Sequence, residues 1–296
     1  MCSAKFNASL GLELKGKALD WKVKLKNGLE MPRIAIGTYL TSGQPCSDAV
    51  EAALRAGYRH IDTARLYQNE KGVRKGIDAS GVPRSEIFIT SKIPPWQQGF
   101  HEANEALEAI LSGLGTDYID LLLIHFPGCG GELSCPRRRL DTWKAMEFAV
   151  TAGKVKALGV SNFEASHIAA LMTSEQKIHP MVLQSEFHPF NYKPDLLTYL
   201  AEHDIIFEAY GSMNAQGLLD HQAVTTIANE LKKTNAQVLL RWALQHGCVI
   251  LPKSTKPKRI LENSQLDDFV LTKEHMVALN SLNQGEASYW SGKGVA

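Results

Sequence analysis

The stretch Gly57-Tyr58-Arg59-His60-Ile61-Asp62-Thr63-Ala64, followed through Tyr67 to Ile87-Phe88-Ile89-Thr90-Ser91-Lys92, contains two short apolar runs separated by a helix-length segment. The first run ends in a carboxylate, Asp62, and the second in an ammonium, Lys92, with the phenol of Tyr67 between them. Read as strand, helix, strand, this unit sets a rhythm that the chain repeats. Strands are expected over Ile34–Thr38, Tyr58–Asp62, Ile87–Ile93, Ile119–Phe126, Val155–Val160, Met181–Phe187, Ile205–Tyr210 and Cys248–Leu251, each followed by a helical pattern. The helix over His101–Leu114, for instance, repeats Ala106, Leu107, Ile110, Leu111 and Leu114 at helical spacing. The first helix is expected from Ser47 or Asp48 to about Ala56, and the last near Pro257–Asn263.

The apolar runs are nearly continuous rather than alternating, the pattern of parallel strands covered on both faces. Eight strand–helix units match a (β/α)8 TIM barrel in the α/β class. An open doubly wound sheet would carry a Gly-rich turn after its first strand, and Gly37-Thr38-Tyr39-Leu40-Thr41-Ser42-Gly43 lacks that pattern. Ahead of the barrel, Trp21–Lys26 alternates with period two. Asn27-Gly28 is expected to supply a hairpin turn at positive φ, with Leu29–Met31 returning. Residues 1–20 read as a loosely held extension before a single domain at 21–296.

The formal net charge of +1 leaves no electrostatic footprint for nucleic acid or an anionic membrane surface. No apolar stretch approaches the ~20 residues that span a bilayer. Five cysteines at irregular spacing argue against a disulfide framework and for a reducing, cytoplasmic setting. Cys129 and Cys135 have no second pair to complete a zinc site, so no metal is expected.

In a barrel of this kind the active site lies at the C-terminal ends of the strands. Those ends carry Thr38, Asp62, Lys92, His125, Ser161-Asn162, Gln184 with Glu186, Tyr210 and Lys253-Ser254, with Tyr67 in the loop after the second strand. Asp62 is expected to pair with Lys92, and the cation to make Tyr67 easier to ionise and so a better proton donor. His125 suits a hydrogen bond to a substrate carbonyl. With no nucleophile–base pair and no metal ligands, the electrons must come from a hydride-carrying cofactor. Ser161, Asn162 and Gln184 suit a carboxamide, and Tyr210 offers a face for a flat ring. The Gly-rich loop Gly211-Ser212-Met213-Asn214-Ala215-Gln216-Gly217 suits a pyrophosphate. Lys253, Ser254 and Arg259 at the start of the last helix suit the extra phosphate of NADP(H).

These stretches, together with Leu114-Gly115-Thr116-Asp117-Tyr118 before strand four, Gly159-Val160-Ser161-Asn162-Phe163, Gln184-Ser185-Glu186-Phe187-His188-Pro189 and Leu251-Pro252-Lys253-Ser254, resemble the aldo-keto reductase superfamily from about Val23 to Asp268. The resemblance implies a barrel closed at its base by the N-terminal hairpin, and NADPH-dependent reduction of an aldehyde or ketone to an alcohol. It carries the catalytic tetrad onto Asp62, Tyr67, Lys92 and His125, with Tyr67 as acid. It puts the nicotinamide amide against Ser161, Asn162 and Gln184, the 2′-phosphate by Lys253, Ser254 and Arg259, and the adenine near Glu262 and Asn263. Gly37, Thr38, Gly211, Ser212, Asn214 and Thr255 complete the expected cofactor contacts.

The chain departs from the family pattern at Leu183, Phe126, Tyr39 and Gly211-Ser212-Met213-Asn214. An aromatic substrate pocket is expected from Tyr39, Trp96 and Phe126, with Tyr289 or Trp290, beneath a specificity loop at Pro127–Arg139. A monomer or weak dimer acting on a small carbonyl or alcohol is expected. A member of the same fold that binds NADP(H) to regulate a partner is the rival reading, which the intact tetrad disfavours.

Overall fold

The computed structural model describes residues 14–131, 135–285 and 287–295. A hairpin of β1 (Lys22–Lys24) and β2 (Glu30–Pro32) leads into eight parallel strands: β3 (Ile36–Gly37), β4 (His60–Asp62), β5 (Phe88–Ile93), β6 (Ile119–Ile124), β7 (Val155–Ser161), β8 (Val182–Glu186), β9 (Ile206–Tyr210) and β10 (Val249–Ile250). Each pairs with the next in chain order. The ring closes where Ile34 bridges Ile250 in parallel, with Ala35 N–H donating to Ile250 O at 2.9 Å and Gly37 N–H to Pro252 O at 3.0 Å. The expected TIM barrel is what the chain forms.

The hairpin plugs the base. Leu25 and Met31 are buried with Ala35, Phe88, Leu121, Leu123, Ala157, Val182 and Val249, the apolar filling of the barrel interior. Its turn differs from the expectation. Only Gly28 takes a positive φ (87°), while Asn27 works through its side chain, accepting from Leu29 N–H at 3.1 Å and donating to Lys156 O at 2.9 Å. Strands β7 and β8 meet closely at Gly159, where an added Cβ would stand 2.5 Å from Val182 O.

The outer layer comprises α1 (Gly43–Arg55), α2 (Glu70–Ser80), α3 (Phe100–Leu114), α4 (Pro136–Thr151), α5 (Ala165–Met172), α6 (Pro194–Glu202), α7 (Gln222–Leu231), α8 (Asn235–Gln245), α9 (Pro257–Glu262) and α10 (Lys273–Asn280). Helix α1 begins earlier than Ser47, because Pro45 lies in a first turn whose N–H groups have no intrahelical partner to lose. Helix α10 is not anticipated by the sequence pattern. It is held by Thr272, whose hydroxyl accepts from His275 N–H while His275 Nδ1 accepts from Thr272 N–H.

Much of the expected extension, residues 1–13, lies outside the described residues. Within 14–20, Ala18 is buried and Leu14 and Leu19 pack on the core. Among the described residues, no helix is long and apolar enough to cross a membrane.

Candidate active site

The cleft opens at the C-terminal ends of the strands, and its floor is built by side chains two residues apart on neighbouring strands. Along β4, His60 and Asp62 both point inward; along β5, Thr90 and Lys92 do the same, since alternate strand residues share a face. Lys92 is wholly buried. Its Nζ donates to both Asp62 oxygens at 2.9 Å and to Thr63 O at 2.9 Å, and stands 3.4 Å from Tyr67 OH. Tyr67 reaches this point from a short 3₁₀ turn, Arg65–Tyr67, that ends at Gln68 in the left-handed region (φ 52°). Asn69 pins the turn by donating to Thr38 O and Thr41 O at 2.9 and 3.0 Å while accepting from Thr63 Oγ1.

His125 follows β6, with its ring 5.8 Å from that of Tyr67. Asn162, at φ 61°, donates to His125 O at 2.9 Å and accepts from Tyr210 OH at 2.8 Å, so one left-handed asparagine ties two strand ends together. Asp62, Tyr67, Lys92 and His125, from the ends of the second, third and fourth barrel strands, therefore meet.

The acidity of Tyr67 runs opposite to the expectation. Burial raises its pKa well above the usual phenol value, and Asp62 and Tyr39 raise it further. Asp62 neutralises the Lys92 charge that was expected to help the phenolate. Tyr67 thus keeps its proton until a much stronger base stands beside it. His125 is pushed well below the usual imidazole range, first by burial and then by Lys92, so it is neutral. A neutral imidazole and a protonated phenol at one spot can hydrogen-bond a carbonyl oxygen, and the phenol can protonate the alkoxide that oxygen becomes.

The cleft walls hold Gly37, Tyr39, Ser161, Asn162, Gln184, Tyr210, Gly211, Ser212, Asn214 and Lys253 together with Asp62, Tyr67 and His125. The amide nitrogen of Gln184 is committed to Asp62 Oδ2 at 2.7 Å and Glu208 Oε2 at 2.9 Å, which leaves its oxygen as the free acceptor. Ser212 Oγ and His125 Nδ1 are buried without a partner among the described residues. Unsatisfied polar atoms of this kind in a cleft fit a polar ligand.

Other expected contacts lie away from these walls. Thr38 is buried behind them, donating to Asp62 O. Ser254 caps its own loop by accepting from Lys256 N–H, and Asn263 is buried at the end of α9. Glu262 accepts from Thr234, and Thr255 and Arg259 are exposed. Lys253, Lys256, Lys258 and Arg259 form an exposed group of cations, none of them ion-paired to an acidic side chain among the described residues.

Of the expected aromatic pocket, Tyr39 lines the cleft but Trp96 and Phe126 do not. Trp96 is 52% exposed on the rim, with its backbone and Cβ against Gly130. Phe126 packs instead on Trp290, ring centroids 5.4 Å apart. Tyr289 and Trp290 supply the aromatic wall. The specificity loop contains a feature the cysteine pattern did not suggest: Cys129 and Cys135 are disulfide-bonded, and Glu132, Leu133 and Ser134 between them lie outside the described residues.

Sequence reading missed what holds the aromatic wall in place. The Glu186 carboxylate, at the end of β8, accepts from the N–H groups of Ser288 and Tyr289, both at 2.9 Å, and from His188 Nε2 at 2.8 Å. Burial alone would raise its pKa, but these hydrogen bonds outweigh burial and hold it below the ordinary carboxylate range. The clamp therefore persists above that range and weakens only as pH falls through the lowered value. Glu186→Ala removes, besides the bond from His188, the two charge-assisted bonds from Ser288 and Tyr289, worth ~1.5–3 kcal/mol each. Amide exchange at Ser288 and Tyr289 is expected to quicken by about a hundredfold, which mass spectrometry of the C-terminal peptide reads directly. Unchanged protection there would reject the clamp.

The sequence model of the Aldo/keto reductase family matches residues 33–284. Glyoxal reductase of Bacillus subtilis (strain 168) is 43% identical over 265 residues, covering 89% of this chain and 93% of that protein. The 9,11-endoperoxide prostaglandin H2 reductase of Trypanosoma cruzi (strain CL Brener) is 42% identical over 266 residues, covering 88% and 91%. Among solved structures, the Bombyx mori aldo-keto reductase in complex with NADP superposes with a TM-score of 0.82 at 34% identity, covering 90% of this chain and 94% of that one. MGS-M4, an aldo-keto reductase from a Medee basin deep-sea metagenome library, gives a TM-score of 0.87 at 39% identity, covering 93% and 100%. With its closed barrel, its strand-end cleft and these matches over most of its length, the chain belongs to the aldo/keto reductase family and is an oxidoreductase acting on carbonyl groups.

Proposed function

We propose that the protein reduces a small aldehyde or ketone to the alcohol with NADPH, Tyr67 serving as the general acid. The observation that carries this reading is Lys92 Nζ, buried between the Asp62 carboxylate and the Tyr67 hydroxyl with His125 alongside. Bound reduced nicotinamide supplies the hydride. The side chains do the rest. His125, uncharged, hydrogen-bonds the carbonyl oxygen and positions it against Tyr67. As negative charge develops on that oxygen, Tyr67 gives up its proton to it, and the phenolate left behind faces the Lys92 ammonium. Asp62 holds Lys92 in line throughout.

The free oxygen of Gln184, with Ser161 and Asn162, suits the nicotinamide carboxamide, and Tyr210 suits its ring. Gly211, Ser212 and Asn214 suit the pyrophosphate, and the unpartnered Ser212 hydroxyl supports that reading. The unpaired cations Lys253 and Arg259, with Ser254 and Thr255, suit the 2′-phosphate, and Glu262 and Asn263 lie on the adenine side. Tyr39, Tyr289 and Trp290 favour a substrate with an apolar body. Residues 21–296 act as one catalytic unit behind the segment 1–20. The NADP held by the Bombyx mori relative and the name glyoxal reductase on the Bacillus relative both support nicotinamide-dependent carbonyl chemistry.

The test of cofactor choice is a fluorescence titration with both reduced dinucleotides. Replacing Lys253 and Arg259 with Ala removes two charge-assisted phosphate contacts, each worth ~1.5–3 kcal/mol. Kd for NADPH is expected to rise by about two orders of magnitude while Kd for NADH changes by less than about threefold. Equal losses for the two dinucleotides would remove the phosphate role.

A further inference from the structure

Beneath the cleft floor lies a second polar layer that the mechanism above does not use. Glu208, in the middle of β9, is wholly buried, and so are His60 and Thr90, each two residues before a member of the Asp62–Lys92 pair. We infer that Glu208 is a positioning residue: it orients the Gln184 amide and, through that amide, the Asp62 carboxylate that holds Lys92.

The hydrogen bonds decide where the protons sit. His60 Nδ1 is 3.0 Å from Pro32 O, and a carbonyl only accepts, so Nδ1 carries the hydrogen. In the neutral ring Nε2 is then an acceptor, met by Thr90 Oγ1 at 2.9 Å. Glu208 Oε1 stands 3.7 Å from the same Nε2, beyond hydrogen-bond reach, and has no hydrogen-bond partner among the described residues. With the Nε2 lone pair already taken by Thr90, an ionised carboxylate would find no donor at Oε1, which favours the neutral acid there.

The surrounding charges agree. Asp62 and His60 face Glu208 from β4 and Lys92 from β5, with Asp120 on β6 acting on His60. Neighbouring β8 presents neutral Gln184, and β10 presents only Val249 and Ile250. One ammonium, already spanned by Asp62, has to serve two carboxylates. Burial, reinforced by Asp62, pushes Glu208 up to about 8, and burial pushes His60 down to about 4. Glu208 is therefore an uncharged acid at neutral pH, beside a neutral His60.

The Gln184 amide has two hydrogens. One goes to Glu208 Oε2 and the other to Asp62 Oδ2, across the barrel from β8 to β4. Without Glu208 the amide loses one of its two anchors and is free to turn. Two things then loosen: the Asp62–Lys92 geometry, and the direction of the amide oxygen. The second consequence rests on the proposed nicotinamide reading; the first does not.

The test uses two variants of the full chain. Glu208→Leu keeps the bulk and removes both hydrogen-bonding atoms. Glu208→Gln mimics the protonated acid, keeping an oxygen for Gln184 and no charge. Positioning is read first in the unliganded protein, from the side-chain amide proton signals of Gln184. They are expected to be resolved and slowly exchanging in wild type and Glu208→Gln, and averaged in Glu208→Leu. Infrared spectra are expected to show a buried protonated carboxyl at neutral pH that disappears in Glu208→Gln.

For activity, kcat is expected to fall at least about tenfold in Glu208→Leu, the scale of an outer partner's loss, and to be largely restored in Glu208→Gln. Above pH of about 8, wild type is expected to lose rate as a second negative charge forms beside Asp62 and holds the Tyr67 proton more tightly, while Glu208→Gln stays level. Unaltered Gln184 signals in Glu208→Leu, or a carboxyl band that survives in Glu208→Gln, would overturn the inference. A wild-type protein that binds neither reduced dinucleotide would instead overturn the proposed function. The Gln184 and infrared results would still decide the role of Glu208.

Discussion

Tyr67→Phe is expected to lower kcat by about three orders of magnitude, within the ~10²–10⁴-fold range of a positioned general acid, while Kd for NADPH moves by no more than about twofold. The change removes one oxygen and leaves the ring that packs on Tyr39 at 5.0 Å and under which Lys92 lies at 5.1 Å. The fold has no reason to move. The other candidates for proton delivery are poorly suited: His125 is uncharged, and Lys92 is wholly buried with its hydrogens committed to Asp62 and Thr63. Because burial keeps the phenol protonated throughout the physiological range, the rate is not expected to depend on a Tyr67 ionisation near neutrality. Steady-state kinetics beside a binding titration separates the two effects. A loss in kcat smaller than about tenfold would remove Tyr67 from the acid role.

Lys92→Met is expected to cost both activity and stability, and the two losses can be separated. The thioether fills most of the lysine's volume but leaves Asp62 buried and without its cation, and breaking a buried pair from one side costs ~3–5 kcal/mol. For a chain of this size that lowers Tm by roughly 10 °C, taking ~2–4 °C per kcal/mol. The double variant, with Asp62→Asn added, removes the stranded charge and is expected to recover most of that Tm. It is not expected to recover turnover, which in both variants falls at least about a thousandfold because nothing remains to meet the phenolate. Recovery of kcat along with Tm would show that Lys92 acts only through the fold.

Most of the barrel is legible in the chain, for a local reason. Each strand is a short apolar run with a polar residue at its end, so Asp62, Lys92, His125, Ser161 and Gln184 mark both the strand boundaries and the site. Parts that depend on distant partners are less legible. Glu208 in Ile206-Phe207-Glu208-Ala209 is one carboxylate in an apolar strand, a visible signal. Its meaning appears only when barrel closure brings His60 and Gln184 to it. The Glu186 clamp joins residues about a hundred positions apart, and no local pattern announces it. Of the aromatic residues expected at the wall, Trp96 and Phe126 fall outside it, while Tyr289 and Trp290, expected there from the C-terminal segment, hold it. The Cys129–Cys135 bond escapes an argument built on cysteine count. The acidity of Tyr67 is the reverse of what the Lys92 charge alone suggests, because burial and the Asp62 carboxylate come with that charge.

The proposed hydride transfer from bound NADPH to a carbonyl whose oxygen takes its proton from Tyr67 is read in a single turnover of wild-type protein. The turnover uses NADPH deuterated at the transferred position and an aldehyde such as glyoxal, followed by mass analysis of the alcohol. One deuterium is expected on the new carbinol carbon for each cofactor oxidised. Tyr67→Phe, loaded with the same cofactor, is expected to form that product at least about a hundredfold more slowly. An alcohol that carries no deuterium would rule out the hydride transfer, and a Tyr67→Phe protein that delivers it at the wild-type rate would rule out the acid role.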